Sequence, residues 1–134
     1  MTFRLQIVTP DGLAFEGEAE KLSVRTAQGE IGILARHIDY VAPLGMGEAV
    51  ITEPEGKERR AACIGGLVSV HGGKVRLVAT TFEWAEQIDL ERAKAAEQKA
   101  RAVMARQGLS DRDFKLAEAK LHRALVRQSV RRGL

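Results

Sequence analysis

The chain has 134 residues, 45% hydrophobic and 29% charged, with a formal net charge of +3 and one cysteine, Cys63. The composition is globular, and the length suits one compact unit, or one small domain with an appendage, whose core needs no covalent staples. One cysteine excludes an internal disulfide and fits a reducing compartment. No apolar run approaches the ~20 residues of a membrane span, and Met1-Thr2-Phe3-Arg4 lacks the charged-then-apolar order of a secretory signal.

In chain order, Phe3-Arg4-Leu5-Gln6-Ile7 alternates apolar and polar, the period of a half-buried strand. Pro10-Asp11-Gly12 supplies turn chemistry. Phe15–Ala19 and Leu22–Arg25 alternate again. Val68 and Val70, then Gly72-Gly73, then Val75, Leu77 and Ala79 form the clearest hairpin, with two glycines that tolerate positive φ between period-2 runs. Strands about ten residues apart imply an antiparallel sandwich or barrel.

The character changes near Glu86. Of 13 glycines, 11 precede that point, as do all three prolines, Pro10, Pro43 and Pro54. Residues 1–86 carry a net charge of −3 and residues 87–134 a net of +6. Two units are expected, 1–86 and 87–134. In the second, Asp89 is a plausible N-cap, followed by Leu90, Ala93, Ala96, Ala100, Val103 and Met104 at helical spacing. Gln107-Gly108-Leu109-Ser110 breaks the run, with Gly108 suited to the C′ position. Ser110 and Asp113 resemble a capping box with Asp for Glu. Phe114, Ala117, Leu121, Ala124 and Leu125 share a face of a second helix, antiparallel to the first because the break is short. The expected fold class is α+β, mainly β: an N-terminal antiparallel β-sandwich and a C-terminal antiparallel two-helix hairpin. An alanine-lined hairpin buries little apolar area and docks weakly. That suits both a mobile element and a permanently packed one.

Catalytic signatures are missing. Gly72-Gly73-Lys74-Val75 lacks the hydroxyl and upstream glycine of a phosphate loop. His37, His71 and His122 have no metal-ligand spacing, so no metal site is expected. Cys63 lies in a strand-like stretch and reads as a buried, inert thiol. Glu16 and Glu18 read as a solvated strand face. Lys120, Arg123, Arg127 and Arg131 form a basic stripe on the second helix. The stripe suits a solvated face, a nucleic acid, or an acidic protein surface or polyphosphate. A nucleic acid would want stacking aromatics, and beyond Trp84 the only Phe, Trp or Tyr is Phe114.

Several segments together resemble a family: Ile7-Val8-Thr9-Pro10-Asp11-Gly12, Gly29-Glu30-Ile31-Gly32-Ile33-Leu34, His37, Ala42-Pro43-Leu44, Gly65-Gly66, and Ile88-Asp89-Leu90-Glu91-Arg92-Ala93. In order and spacing they resemble the epsilon subunit of bacterial F-type ATP synthase over nearly the whole chain. The resemblance implies a non-catalytic subunit of the central stalk, peripheral on the cytoplasmic face of the plasma membrane and touching the membrane only through the complex. It implies a sandwich bound to the gamma subunit and the c-ring, with Glu30 and His37 as candidate contacts. Ala35-Arg36 replaces a Pro-containing pair common in the family. It further implies a hairpin that folds on the sandwich or extends to inhibit ATP hydrolysis. Arg123, Arg127 and Arg131 would then meet an acidic segment of the beta subunit.

Family members with an Ile/Leu-Asp-x-x-Arg-Ala motif bind ATP on the folded hairpin, as a regulatory ligand with or without Mg²⁺. By that resemblance Ile88, Asp89 and Ala93 would contact adenine. Arg92, Lys99, Arg123 and Arg127 would meet the phosphates, with Glu83 just upstream as a further candidate. The strongest binders carry arginine at the position of Lys99, and a lysine there lacks the bidentate fork. The rival readings are a free-standing nucleotide sensor and a nucleic-acid binder using the basic hairpin.

Overall fold

Eight strands and two long helices make up most of the protein in a computed structural model that describes residues 1–134. The chain divides into two compact units, Met1–Trp84 and Ala85–Leu134. The first holds β1 (Phe3–Thr9), β2 (Gly12–Ala19), β3 (Lys21–Thr26), β4 (Gly29–Leu34), β5 (Tyr40–Pro43), β6 (Met46–Thr52), β7 (Glu58–His71) and β8 (Lys74–Trp84).

The strands run in the order β2-β1-β8-β7-β6-β3-β4, with β5 also paired to β7. The 14-residue β7 belongs to both layers of the sandwich: Glu58–Ile64 pair with β6, and Leu67–Val70 pair with β5. The partner changes at Gly65-Gly66, where Gly65 N–H donates to Gly45 O (3.0 Å) and Leu44 N–H donates to Gly66 O (2.9 Å). The sandwich is antiparallel, as expected from the sequence, except that β1 runs parallel to β8. Alternation along single strands reports which face is buried but not which strand lies beside it, so this pairing had no local signal.

The period-2 residues meet in one core. Leu5, Ile7, Leu22, Ile33, Ile51, Val68 and Leu77 are fully buried there, and Cys63 packs among them. Gly72 and Gly73 take φ of 56° and 79°, the primed two-residue turn that joins β7 to β8. The β1–β2 and β3–β4 turns share a device. Thr9 Oγ1 donates to Gly12 O and accepts from Asp11 N–H, and Thr26 Oγ1 does the same with Gly29 O and Gln28 N–H.

The second unit opens with a 3₁₀ turn, Ala85–Gln87, followed by α1 (Leu90–Met104) and α2 (Asp111–Arg132). Asp89 caps α1 by accepting from Arg92 N–H (3.1 Å), and Ser110 Oγ caps α2 by accepting from Asp113 N–H (3.1 Å). The helices form an antiparallel hairpin with a seam of buried alanines: Ala93 and Ala100 on α1, Ala117 and Ala124 on α2. Two residues expected on the apolar face, Phe114 and Leu125, are each 38% exposed. The close helix approach that alanine permits leaves them flanking the seam rather than filling it. No helix is long and apolar enough to cross a membrane.

Candidate functional site

The hairpin carries the main concentration of charge. A groove of about 400 Å³ runs between α1 and α2. Lys99 and Arg106 from α1 and Lys120, Arg123 and Arg127 from α2 line it, with Asp113 the one acid among its lining residues. Its apolar lining includes the buried Ala100 and Ala117, with Val103 and the exposed Leu116. Five cations sharing one concave surface raise the local positive potential, and three arginines supply planar forks for phosphate or carboxylate. A ligand there would touch both helices at once.

Of the residues expected to hold a nucleotide, Lys99, Arg123 and Arg127 are brought together by this groove. The other hairpin candidates do not line it. Ile88 and Ala93 are both buried, at 4% exposure. Asp89 is exposed and caps α1 with one carboxylate oxygen. Arg92, also exposed, supplies the capped N–H. Glu83 lies on β8 in the first unit, in register with Ala62. Arg131 is half-buried near the end of α2 and is not part of the groove lining.

Arg106 and Lys120 extend the groove beyond the residues drawn from the motif. The sequence signal for Lys120 was its place in the basic stripe. Arg106 had none, because its spacing from Lys99 means something only once α2 lies alongside. Gln128 was also missed. It continues the series Ala117, Leu121, Ala124 by helical spacing, so a polar residue stands where the seam calls for an apolar one. Its Nε2 donates to Glu97 Oε1 (2.8 Å) and is 3.5 Å from Ala93 O. Glu97 also accepts from Arg101 Nε (2.8 Å). The Gln128 amide and the Arg101 guanidinium hold the Glu97 carboxyl below its ordinary value of 4.5.

In the sandwich, Glu30 and His37 lie at opposite ends of β4 rather than side by side. Glu30 is exposed and opposite Arg25. His37 occupies the β4–β5 loop, its Nδ1–H donating to Ile38 O (2.7 Å) and its ring edge-on to Tyr40. Arg36 beside it takes φ 67°, an uncommon conformation for a residue with a side chain. Leu34, Ile38 and Val41 around the loop are 57%, 77% and 64% exposed. Such apolar exposure on a strained loop is the usual mark of a docking surface. Cys63, by contrast, is inert, because burial pushes its thiol up to about 12. No group of three or more His, Cys, Asp or Glu is placed to hold a metal.

Comparison with known proteins matches both units. The family model described as the beta-sandwich domain of the ATP synthase delta/epsilon chain covers residues 2–85. The one described as its long alpha-helix domain covers 86–130. The ATP synthase epsilon chain of Shouchella clausii is 42% identical over 129 residues, which is 96% of this chain and 94% of that one. The epsilon chain of Bacillus licheniformis is 42% identical over 131 residues, 98% of each. Among solved structures, a chain of the Euglena gracilis mitochondrial ATP synthase (OSCP/F1/c-ring) superimposes with a TM-score of 0.85 at 24% identity, covering 96% of this chain and 80% of that one. That likeness is one of fold. Matched in both its sandwich and its hairpin, this chain belongs to the family of ATP synthase delta/epsilon chains.

Proposed function

We propose that the chain works as the non-catalytic epsilon-type subunit of an F-type ATP synthase central stalk, peripheral on the cytoplasmic face of a bacterial plasma membrane. Its sandwich docks on the gamma subunit and the c-ring, with the exposed Leu34, Ile38 and Val41 beside His37 forming part of the contact. Its hairpin restrains ATP hydrolysis when extended, Arg123, Arg127 and Arg131 meeting an acidic segment of the beta subunit. When closed, the hairpin takes ATP as a regulatory ligand.

The groove shared by Lys99, Arg106, Lys120, Arg123 and Arg127 carries this reading. A triphosphate bridging cations of both helices binds the closed hairpin and has no equivalent site once the helices part. At one hundred times its dissociation constant such a ligand adds about 2.7 kcal/mol to the closed state. A seam of small alanine contacts can be opened against energies of that size, whereas the sandwich core cannot.

Titration calorimetry of the full chain with ATP, with and without Mg²⁺, tests the ligand. Arg123→Ala and Arg127→Ala should each weaken binding about tenfold; wild-type affinity in both variants removes the site. Removal of residues 87–134 tests the restraint. The assembled ATPase should then hydrolyse ATP faster, and an unchanged rate refutes inhibition by the hairpin.

A further inference from the structure

We propose that Gln128 is a positioning residue, whose side-chain amide clasps Glu97 and Ala93 at the open end of the hairpin and so sets Arg123 and Arg127 opposite Lys99 across the groove. The seam itself cannot do this. Before the last turns of α2, where Gln128 and Val130 are also buried, its buried residues are alanines seven apart, Ala93 and Ala100, Ala117 and Ala124. Further alanines stand at 95, 96, 102, 105 and 119. Alanine contacts are small and interchangeable, so sliding or splaying one helix exchanges one such contact for another. The connection through Gly108 ties the helices together at one end only. At the other end, where α1 begins and α2 finishes, the seam meets a directional group.

Gln128 is 5% exposed, and its Nε2–H donates to Glu97 Oε1 at 2.8 Å, with Ala93 O at 3.5 Å. No buried side-chain polar atom is left without a partner. A displaced helix would leave the amide against alanine methyl groups with neither acceptor. A single buried polar group at a helix seam specifies register in this way, at some cost in stability. Arg127 adjoins Gln128 and Arg123 lies just over one turn away, so a shift at the clasp is passed directly to the groove.

The proposal rests on the anion-groove reading for one of its two readouts and is independent of it for the other. Spin labels at Ala95→Cys and Ser129→Cys, both exposed positions, report the interhelix distance in the full chain while Cys63 stays buried. Wild type should give one narrow distribution. Gln128→Leu, which keeps an apolar seam, should hold or raise the melting temperature, broaden the distribution and weaken ATP binding about tenfold. Glu97→Gln keeps an acceptor oxygen and should stay narrow, whereas Glu97→Ala should broaden. A narrow distribution in Gln128→Leu overturns the clasp, whatever ATP does. If wild type binds no ATP, the ligand reading falls and the distances still decide the clasp.

Discussion

Replacing Gly66 with alanine tests the mechanism that lets one strand serve two layers. Gly66 has φ of 113°, and a Cβ built there would lie 2.9 Å from Ala79 Cα and far inside van der Waals contact with Val78 O. Both atoms are backbone, so no side chain can swing away. Holding a residue with a Cβ at such a φ costs on the order of 1–3 kcal/mol. Relieving the clash requires β7 to move from β8, which loosens the Leu44–Gly66 and Gly65–Gly45 hydrogen bonds on its other side. Each is worth about 0.5–1.5 kcal/mol. Together the terms come to roughly 2–6 kcal/mol. A domain of this size has roughly 4–13 kcal/mol in all, so about half its stability is at stake. The melting temperature should fall by at least ~10 °C. Trp84, the only tryptophan, sits on β8 and reports sandwich unfolding in urea apart from the hairpin. Gly72→Asn is the control. That site has φ 56° with nothing within 4 Å of an added Cβ, and should lose under ~1 kcal/mol. A Gly66→Ala protein melting within ~3 °C of wild type, or a control equally damaged, refutes the reasoning.

Three further outcomes are expected. Ser110→Ala should cost the hairpin about 1 kcal/mol, read by helical ellipticity on heating, while Ser129→Ala on the exposed face changes little. Cys63, its thiol pushed up to about 12 by burial, should resist a disulfide reagent at neutral pH and react fully once urea unfolds the sandwich; fast native labelling contradicts its place in the core. Glu97 is depressed below 4.5 by Gln128 first and Arg101 next, with Arg132 also contributing. Its contribution to the closed hairpin is therefore present above that pH and lost as acid protonates it. The helical melting temperature should fall on acidification through this range in wild type and much less in Glu97→Gln, whose amide does not titrate, while the interhelix distance stays narrow, since a protonated carboxyl keeps an acceptor oxygen for Gln128.

Much was legible before the fold was known, because it depends on neighbours in sequence. Alternation at Phe3–Ile7 and on both sides of Gly72-Gly73 marks strands and a hairpin, since side chains on a strand repeat every two residues. Asp89 and Ser110 cap helices because an oxygen acceptor there meets the N–H three residues on. Lys120, Arg123 and Arg127 share a face for the same local reason. The motif Ile88–Ala93 was legible as well; Ile88 and Ala93 are buried, Asp89 caps α1 and Arg92 is exposed, and other residues line the groove.

Sequence alone therefore determined several strands, the Gly72-Gly73 hairpin, the two helices, their capping residues and the sign of the charge on the helical part, all consequences of short-range geometry. Tertiary structure alone decided that β1 lies parallel to β8, that Phe114 and Leu125 stand exposed, that Arg106 joins the groove and that Gln128 faces Glu97. The physical reason is the same in each case. These features arise between residues far apart along the chain, and chain spacing carries no information about a partner until packing brings it within reach.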